Sequence, residues 1–383
     1  MVFEFIFGFL LLLTAVCYFL MIAFITAGVL RKSRTARPVR ASARVSVILP
    51  VRNEGTGIIA CLDDLALQNY PADLFEVIVS DDFSEDYTVE KVRRWAKEHP
   101  ALKLSVLKGE LNREEQQGKK KAIERAVAIA SGEIILTTDA DTFHEKSWIH
   151  SMSGVFRNDE IKMVLGPVGF TCEKGIFQKI QTLEFLGIIG VTAGSANLGI
   201  PLMCNGANLA YRKQTFIEAG GYAGNTAFSS GDDQFLMMKF REQFGKDSVV
   251  FLTDADAVTL TLPCSSWHDF WEQRLRWVSK SRAYQDRRVI TAGILTIGFP
   301  LMILAGGVVG IFYPAIFILA SLLWFLKILA EYPLVWLMAR FFDKKHLLNY
   351  YFAAQVFQFF YSIAVAIAGQ FTTVSWKGRR FRR

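Results

Sequence analysis

Asp139 and Asp141 stand one residue apart at the end of the apolar run 133–138, Glu-Ile-Ile-Leu-Thr-Thr. Two carboxylates at the tip of a buried strand are costly unless positive charge occupies the gap. Hard oxygen ligands suit Mg2+ or Mn2+. Magnesium-type sites use one or two protein carboxylates and leave the other positions to substrate phosphates. The chemistry suggested is a nucleotide held through a metal and its diphosphate. An Asp-x-Asp alone is a weak signal, and the groups around it carry the weight.

Asp81-Asp82 closes another strand-like run. A carboxylate there could accept a hydrogen bond from a base N–H, such as that of uracil or guanine. It could equally be an acidic helix start, which Ser84 and Asp86 also fit. Gly118-Lys119-Lys120-Lys121 opens a helix, where a lysine can bind phosphate. For Lys120 and Lys121 a solvated basic face is the expectation. Gly206-Ala207-Asn208 is a small-residue turn that permits close approach of the backbone to a ligand. Asp232-Asp233 follows Ser229-Ser230-Gly231. Adjacent like charges in a cleft raise a carboxylate's pKa and so suit a general base; helix-start capping is the commoner reading. In Gln273-Arg274-Leu275-Arg276-Trp277 a fixed arginine can neutralise a diphosphate. The tryptophan can stack on a sugar or anchor at a lipid boundary.

Alternating elements must position these groups. Strands are expected at 45–50, 75–80, 102–107 and 133–138, and helices at 56–68, 86–98 and 119–129. Such alternation predicts an α/β fold with a mostly parallel sheet. Ligands then gather at the carboxyl ends of the strands, where Pro50, Asp82 and Asp139 lie.

The 383 residues are 52% hydrophobic with a mean hydropathy of +0.27, and the apolar residues concentrate at the two ends. Residues 5–30 contain no charge and could span ~30 Å of hydrocarbon. A secretory signal is the competing reading, but Glu4 replaces a basic start and the run is too long. Arg31, Lys32, Arg34, Arg37, Arg40 and Arg44 follow, which places that end in the cytoplasm and the N-terminus outside. The net charge of +7 flanks hydrophobic segments, a distribution that fits anionic lipid head groups and not nucleic acid. The five cysteines, Cys17, Cys61, Cys172, Cys204 and Cys264, show no Cys-x-x-Cys spacing, so neither a disulfide nor a zinc site is expected.

Residues 185–211 are uncharged, but their Gly, Ala, Ser and Asn content and Pro201 argue against a span. A crossing there would also separate Asp141 from Asp232-Asp233. A helix under the sheet is expected instead. Over 267–288, Trp267, Phe270, Trp271, Leu275 and Val278 share one helical face, with Arg274, Lys280, Arg282, Arg287 and Arg288 interspersed. This predicts an amphipathic helix in the membrane interface. Apolar segments follow at about 291–312, 313–339 and 347–372. The expected organisation is a membrane anchor (1–31), a catalytic domain (32–262), an interface helix (263–290), and a membrane region with a basic tail (291–383).

In order, Pro50-Val51-Arg52-Asn53-Glu54, Asp81-Asp82, Gly118-Lys119, Asp139-Ala140-Asp141, Asp232-Asp233 and Gln273-x-x-Arg276-Trp277 resemble the family 2 glycosyltransferases of the GT-A fold, from about 45 to 280. The resemblance implies that Pro50, Glu54 and Asp82 bind the nucleoside, a UDP sugar ahead of a GDP sugar. It implies that Asp139 and Asp141 hold donor and metal, Mg2+ or Mn2+, with Lys119 assisting. Asp233 is implied as the base of an inverting transfer, and Asp232, Gln273, Arg276 and Trp277 as the diphosphate and acceptor mouth. Two positions depart from the pattern. The later acidic pair, usually Glu-Asp, is Asp232-Asp233, and Phe83 stands where the family often has Gly.

The layout, with the tail Val374–Arg380, also resembles ceramide glucosyltransferase and related bacterial lipid glycosyltransferases. It implies a membrane lipid acceptor and a multi-pass protein of the cytoplasmic membrane with its catalytic domain in the cytoplasm. A processive polysaccharide synthase shares Gln-x-x-Arg-Trp but needs more helices to line a polymer channel. A non-catalytic sugar-nucleotide sensor would not need the acids intact. Three C-terminal spans would leave the basic tail outside, against the positive-inside rule. The expectation is therefore a re-entrant hairpin at 291–312, around Pro300, Gly306, Gly307 and Gly310, and a cytoplasmic tail near the active site. Lys327 and Glu331 pair at i, i+4, either lining a route for the lipid or snorkelling to the interface.

Overall fold

The structure is a computed structural model and describes residues 2–31, 43–109, 118–171, 173–224, 231–371, 374–376 and 379–381. Lys32, Arg34, Arg37, Arg40, Cys172, Ser229, Ser230, Lys377, Arg382 and Arg383 lie outside them, as do the side chains of Lys280 and Arg282.

Helix α1 (Val2–Leu30) precedes the sheet. The first half of the α/β domain alternates as its hydrophobic runs require: β1 (Val45–Val51), α2 (Ile58–Ala66), β2 (Phe75–Asp81), α3 (Thr88–Glu98), β3 (Leu104–Lys108), α4 (Lys119–Ile129) and β4 (Ile134–Thr137). These strands pair in parallel, with Val51 beside Asp81 and Ile48 beside Thr137. β1, β2 and β4 are buried on both faces and read as apolar runs, whereas β3 at the edge is half-buried. The second half is less regular. Strand β5 (Phe143–His144), α5 (Trp148–Gly154), β6 (Met163–Leu165), β7 (Val168–Phe170) and α6 (Gly175–Asn197) lead to β8 (Leu209–Arg212). Then come α7 (Lys213–Glu218), α8 (Asp232–Phe244), β9 (Val249–Phe251) and β10 (Thr259–Thr261). The main sheet has the order β3-β2-β1-β4-β8-β6-β9, and β8 runs antiparallel to its neighbours. One core lies between the sheet and α2, α3 and α5, where Leu62, Val92 and Trp148 are buried. The other lies between the sheet, α4 and α6, where Ile123, Phe185 and Ile189 are buried.

The chain continues as α9 (Trp267–Ser279), α10 (Arg287–Val309), α11 (Pro314–Phe341), α12 (Tyr351–Ala368) and a hairpin of β11 (Val374–Trp376) with β12 (Arg379–Phe381). The uncharged stretch near 185–211 is α6 and a loop. This helix lies under the sheet and packs against α1, α11 and α12.

Among the described residues, four segments are long and apolar enough to cross a membrane: α1, α10, α11, and α12 with the turn before it, Lys345–Ala368. The last differs from the others in its surroundings. At its start Lys344 pairs with Glu173, and Lys179 Nζ donates to Tyr350 Oη at 3.2 Å. Along its length Phe357 and Tyr361 pack on Phe270 of α9. At its end Gly369 abuts Val278. The segment therefore begins and finishes against the α/β domain, and β11 also packs on α9.

Several expectations are corrected. Residues 291–312 are not a hairpin, because α10 runs unbroken through Pro300. Gly306 serves close packing instead, since a Cβ there would stand 2.8 Å from Ala320. The interface helix does not reach 288. It ends at Ser279, and α10 starts afresh at an Asp286 cap whose side chain accepts from Arg288 N at 2.8 Å. Its apolar face is largely covered by protein: Phe270 and Leu275 are buried, whereas Trp267 is half exposed. Lys327 and Glu331, 2.7 Å apart, neither snorkel nor line an open route. They are buried with Tyr18, which donates to Glu331, and Gln355, which accepts from Lys327 at 3.3 Å.

Candidate active site

The carboxyl ends of β1, β2 and β4, the starts of α4 and α8 and the second half of α9 converge on one cavity of about 260 Å³. Pro50, Glu54, Asp82, Lys119, Asp139, Asp141, Asp232, Asp233, Gln273, Arg276 and Trp277 all line it. They come from points spread over more than two hundred residues. The parallel crossovers bring the first six together, and α8 and α9 close over them.

Lys119 is the hub. Its Nζ lies 2.6 Å from Asp139 Oδ1 and 3.7 Å from Asp232 Oδ2. Burial alone would lower its pKa, but Asp139, Asp232 and Asp233 outweigh that and hold the ammonium above its ordinary value. The motif implies that Lys119 assists at the donor, but not its direct contact with Asp139. Nothing in the local run predicts that Gly118, at φ 135°, aims the first residue of α4 across the strand ends. Arg276 is half-buried. Desolvation holds its guanidinium below the ordinary value, against the pull of Asp139, Cys264, Asp232 and Asp233. Lys120, expected on a solvated face, is buried 5.2 Å from the Phe235 ring centroid. Lys121 is half-exposed and pairs with Glu124 at 2.9 Å.

Asp233 accepts from Gly206 N at 2.9 Å and from Gln234 N at 2.8 Å. A Cβ at Gly206 would stand 3.3 Å from Lys119 Nζ and 3.4 Å from Asp232 Oδ2, so a larger residue would crowd these two side chains. Asp82 is buried, and its Oδ1 accepts from Gly118 N at 2.9 Å, so it helps set the start of α4 as well as lining the cavity. Phe83 adopts φ 60°, the left-handed region that favours glycine.

Two residues gain roles that spacing did not reveal. Arg52 lines the cavity and ties two turns together, its Nη1 donating to Asp82 O at 2.7 Å and to Phe83 O at 3.0 Å. Arg274 is not at the mouth. It pairs with Glu184 of α6, which also accepts from Tyr361, and lies 4.3 Å from the Phe270 ring and 4.2 Å from the Trp277 ring. Glu184, the acid within the apolar run of α6, was the available signal.

Among the described residues no three His, Cys, Asp or Glu side chains are placed to hold a metal by themselves. The cavity instead presents six carboxylates, Glu54, Asp82, Asp139, Asp141, Asp232 and Asp233, against three cations, Arg52, Lys119 and Arg276.

A family model for Glycosyl transferase family 21 matches residues 8–383. The chain belongs to that family. It is a glycosyltransferase, and the shown family is 21, where its motifs had suggested family 2. Glycosyltransferase AglE of Haloferax volcanii is 31% identical over 131 residues, 34% of this chain and 41% of that protein. An N-acetylglucosaminyltransferase of Rhizobium meliloti is 26% identical over 249 residues, 61% of this chain and 54% of that protein. The chain thus spans about half the length of these relatives. The mannosyltransferase PcManGT from Pyrobaculum calidifontis, solved with GDP-Man and Mn2+, superposes with a TM-score of 0.59 at 19% identity. That alignment covers 93% of this chain and 98% of that one. The likeness shows a shared GT-A-like fold.

Proposed function

We propose that this glycosyltransferase moves one sugar from a nucleotide donor to a hydroxyl of a membrane lipid, with inversion at the anomeric carbon. The observation that carries the reading is the meeting of the acidic strand ends with α9 in one cavity, while α9 itself rests on the membrane-side helix α12. A lipid hydroxyl at the head-group level would lie at that depth, and a soluble acceptor gains nothing from it.

The nucleoside sits against Pro50, Glu54 and Asp82, with UDP preferred to GDP. Six carboxylates facing three cations would repel a bare diphosphate, and the excess fits a divalent ion. Asp139 and Asp141 would hold Mg2+ or Mn2+, sharing it with the donor phosphates. The ion supplies charge that offsets the developing negative charge on the leaving diphosphate. Lys119 and Arg276, both half-buried, add fixed positive charge there. Asp233 takes the proton of the acceptor hydroxyl. The freed oxygen bonds to the anomeric carbon from the face opposite the diphosphate. The old carbon–oxygen bond breaks, and its electron pair leaves with the diphosphate. Gly206 and Gln234 hold the Asp233 carboxylate in place, and Trp277, braced by Arg274, offers a face for the sugar.

We place α1, α10 and α11 across the cytoplasmic membrane and α12 in its inner interface, because both ends of that segment meet the α/β domain. Three crossings put the N-terminus outside and the basic tail in the cytoplasm, as the positive-inside rule requires. Purified protein, labelled sugar nucleotide and total lipid extract should yield a chloroform-soluble product. Label found only in a water-soluble polymer would decide for a synthase.

A further inference from the structure

A buried polar knot adjoins the Asp139–Asp141 turn. Thr138 and Thr142 flank the turn, His144 follows it in β5, and Thr259 comes from β10; none is more than 8% exposed. These four are not among the residues that line the catalytic cavity. They touch no substrate, yet they stand between two of its walls.

A count of hydrogens fixes how the knot is tied. A threonine hydroxyl has one hydrogen to give. Thr142 gives its own to Asp139 O at 2.6 Å, and Thr138 gives its own to Ala207 O at 2.8 Å. The two hydroxyl oxygens lie 3.0 Å apart, and neither has a hydrogen left for the other. Two such oxygens, shut off from water, are unfavourable unless a third group donates between them. His144 Nε2 stands 3.2 Å from Thr138 Oγ1 and 3.0 Å from Thr142 Oγ1. Nε2 must therefore carry the hydrogen and share it. Nδ1 then accepts from Thr259 Oγ1 at 3.2 Å. The hydrogen-bond partners of the ring are hydroxyls, so a charged imidazolium would be costly at this depth.

Through Thr142 the imidazole holds the backbone of Asp139, one of the two acids assigned to the metal. Through Thr138 it holds the carbonyl of Ala207, and the neighbouring Gly206 N–H donates to Asp233 Oδ2 at 2.9 Å. A second tie runs beside the first. Trp148 packs on His144 with ring centroids 4.2 Å apart, and its Nε1 donates to Asn208 Oδ1 at 3.0 Å. We propose that His144 is a positioning residue, whose Nε2–H sets the spacing between the Asp139–Asp141 turn and the loop that holds Asp233. The proposal rests on the roles given above to Asp139, Asp141 and Asp233. It adds that the approach of the acceptor oxygen to the anomeric carbon depends on one buried hydrogen outside the cavity. A misplacement of about 1 Å can cost about a hundredfold in rate.

The test uses the full chain in detergent with labelled sugar nucleotide and total lipid extract. His144→Phe keeps a buried ring but removes the hydrogen. It should lower kcat by roughly tenfold to a hundredfold, while calorimetric binding of UDP with Mn2+ stays within a few-fold. His144→Gln returns an N–H near the Nε2 position and should recover most of the rate. A residue that served folding alone would lower the fraction of protein that binds UDP and leave the rate per bound site unchanged. Should His144→Phe not fold, Thr138→Val severs the tie to Ala207 and should show the same split, with Thr138→Ser reversing it. Nitrogen NMR of isotopically labelled histidine, with the His144 signal identified by its loss in His144→Gln, should place the hydrogen on Nε2 at neutral pH. A hydrogen on Nδ1 alone overturns the proposal, as does a His144→Gln enzyme no faster than the phenylalanine variant. Asp233→Asn is measured alongside. If it stays active, the base assignment fails and the proposal with it, whereas an inactive Asp233→Asn beside a fully active His144→Phe overturns the proposal alone.

Discussion

At the ends of β1, β2 and β4, six carboxylates and three cations face a cavity. Between α1, α11 and α12, Lys327 and Glu331 face each other instead, closed in by Tyr18 and Gln355 and at most 9% exposed. The Arg274–Glu184–Tyr361 cluster resembles the second arrangement, although Arg274 is only two residues from Arg276, which belongs to the first. Charges whose partners are all within the protein act on stability. Charges aimed in excess at a cavity are unfavourable until a ligand arrives, so they act on binding and chemistry.

The difference predicts opposite outcomes for removing an acid. Asp141→Ala should abolish transfer and weaken nucleotide binding while leaving the melting temperature nearly unchanged, and excess chelator should mimic it. Full activity in chelator would remove the metal from the account. Glu184→Ala should do the reverse. It leaves Arg274 buried without its carboxylate, a change that typically costs about 3–5 kcal/mol. Thermal unfolding in detergent should show a large drop, and a shift of no more than a degree or two would mean the pair is not structural.

An intermediate case is His144. It is buried among Thr138, Thr142 and Thr259, and desolvation pushes its pKa down to about 3. The unfolded chain binds a proton near pH 6.5 and the folded one does not. Stability is therefore fully present above about pH 6.5 and falls as pH drops toward 3, by at most about 1.4 kcal/mol per unit. Unfolding followed from pH 7 to 4 should show that slope, and His144→Gln should flatten it.

The smallest effect belongs to Phe83. Glycine would relieve its left-handed backbone but add unfolded-state freedom. Phe83→Gly should change stability by no more than about 1 kcal/mol and leave transfer rates alone. A large loss of activity would bring the ring into the site.

The sequence made one class of feature readable. Strands β1, β2 and β4 and helix α4 follow from apolar runs and a Gly start, and local patterns also placed the acids at their ends. Pairings across long separations were not readable. Lys119 reaching Asp139, Arg274 reaching Glu184 and Tyr18 reaching Glu331 each join elements whose local sequence says nothing of the other. The interfacial placement proposed for α12 was hidden for a related reason. A helix in the plane of a bilayer with protein on one face has the same apolar content as one that crosses, and only its contacts at both ends separate the two.

The account turns on Asp233 being a cavity-facing acid with a chemical task, although it also stands at the start of α8 and accepts from Gln234 N there and from Gly206 N of the loop before β8. Single-turnover transfer and donor binding should be measured side by side for Asp233→Asn and Asp232→Asn. The account predicts that Asp233→Asn lowers the transfer rate by about 10²–10⁴ while donor affinity stays within a few-fold. If Asp233→Asn remains active and Asp232→Asn is the dead variant, the base is misassigned and the central claim fails.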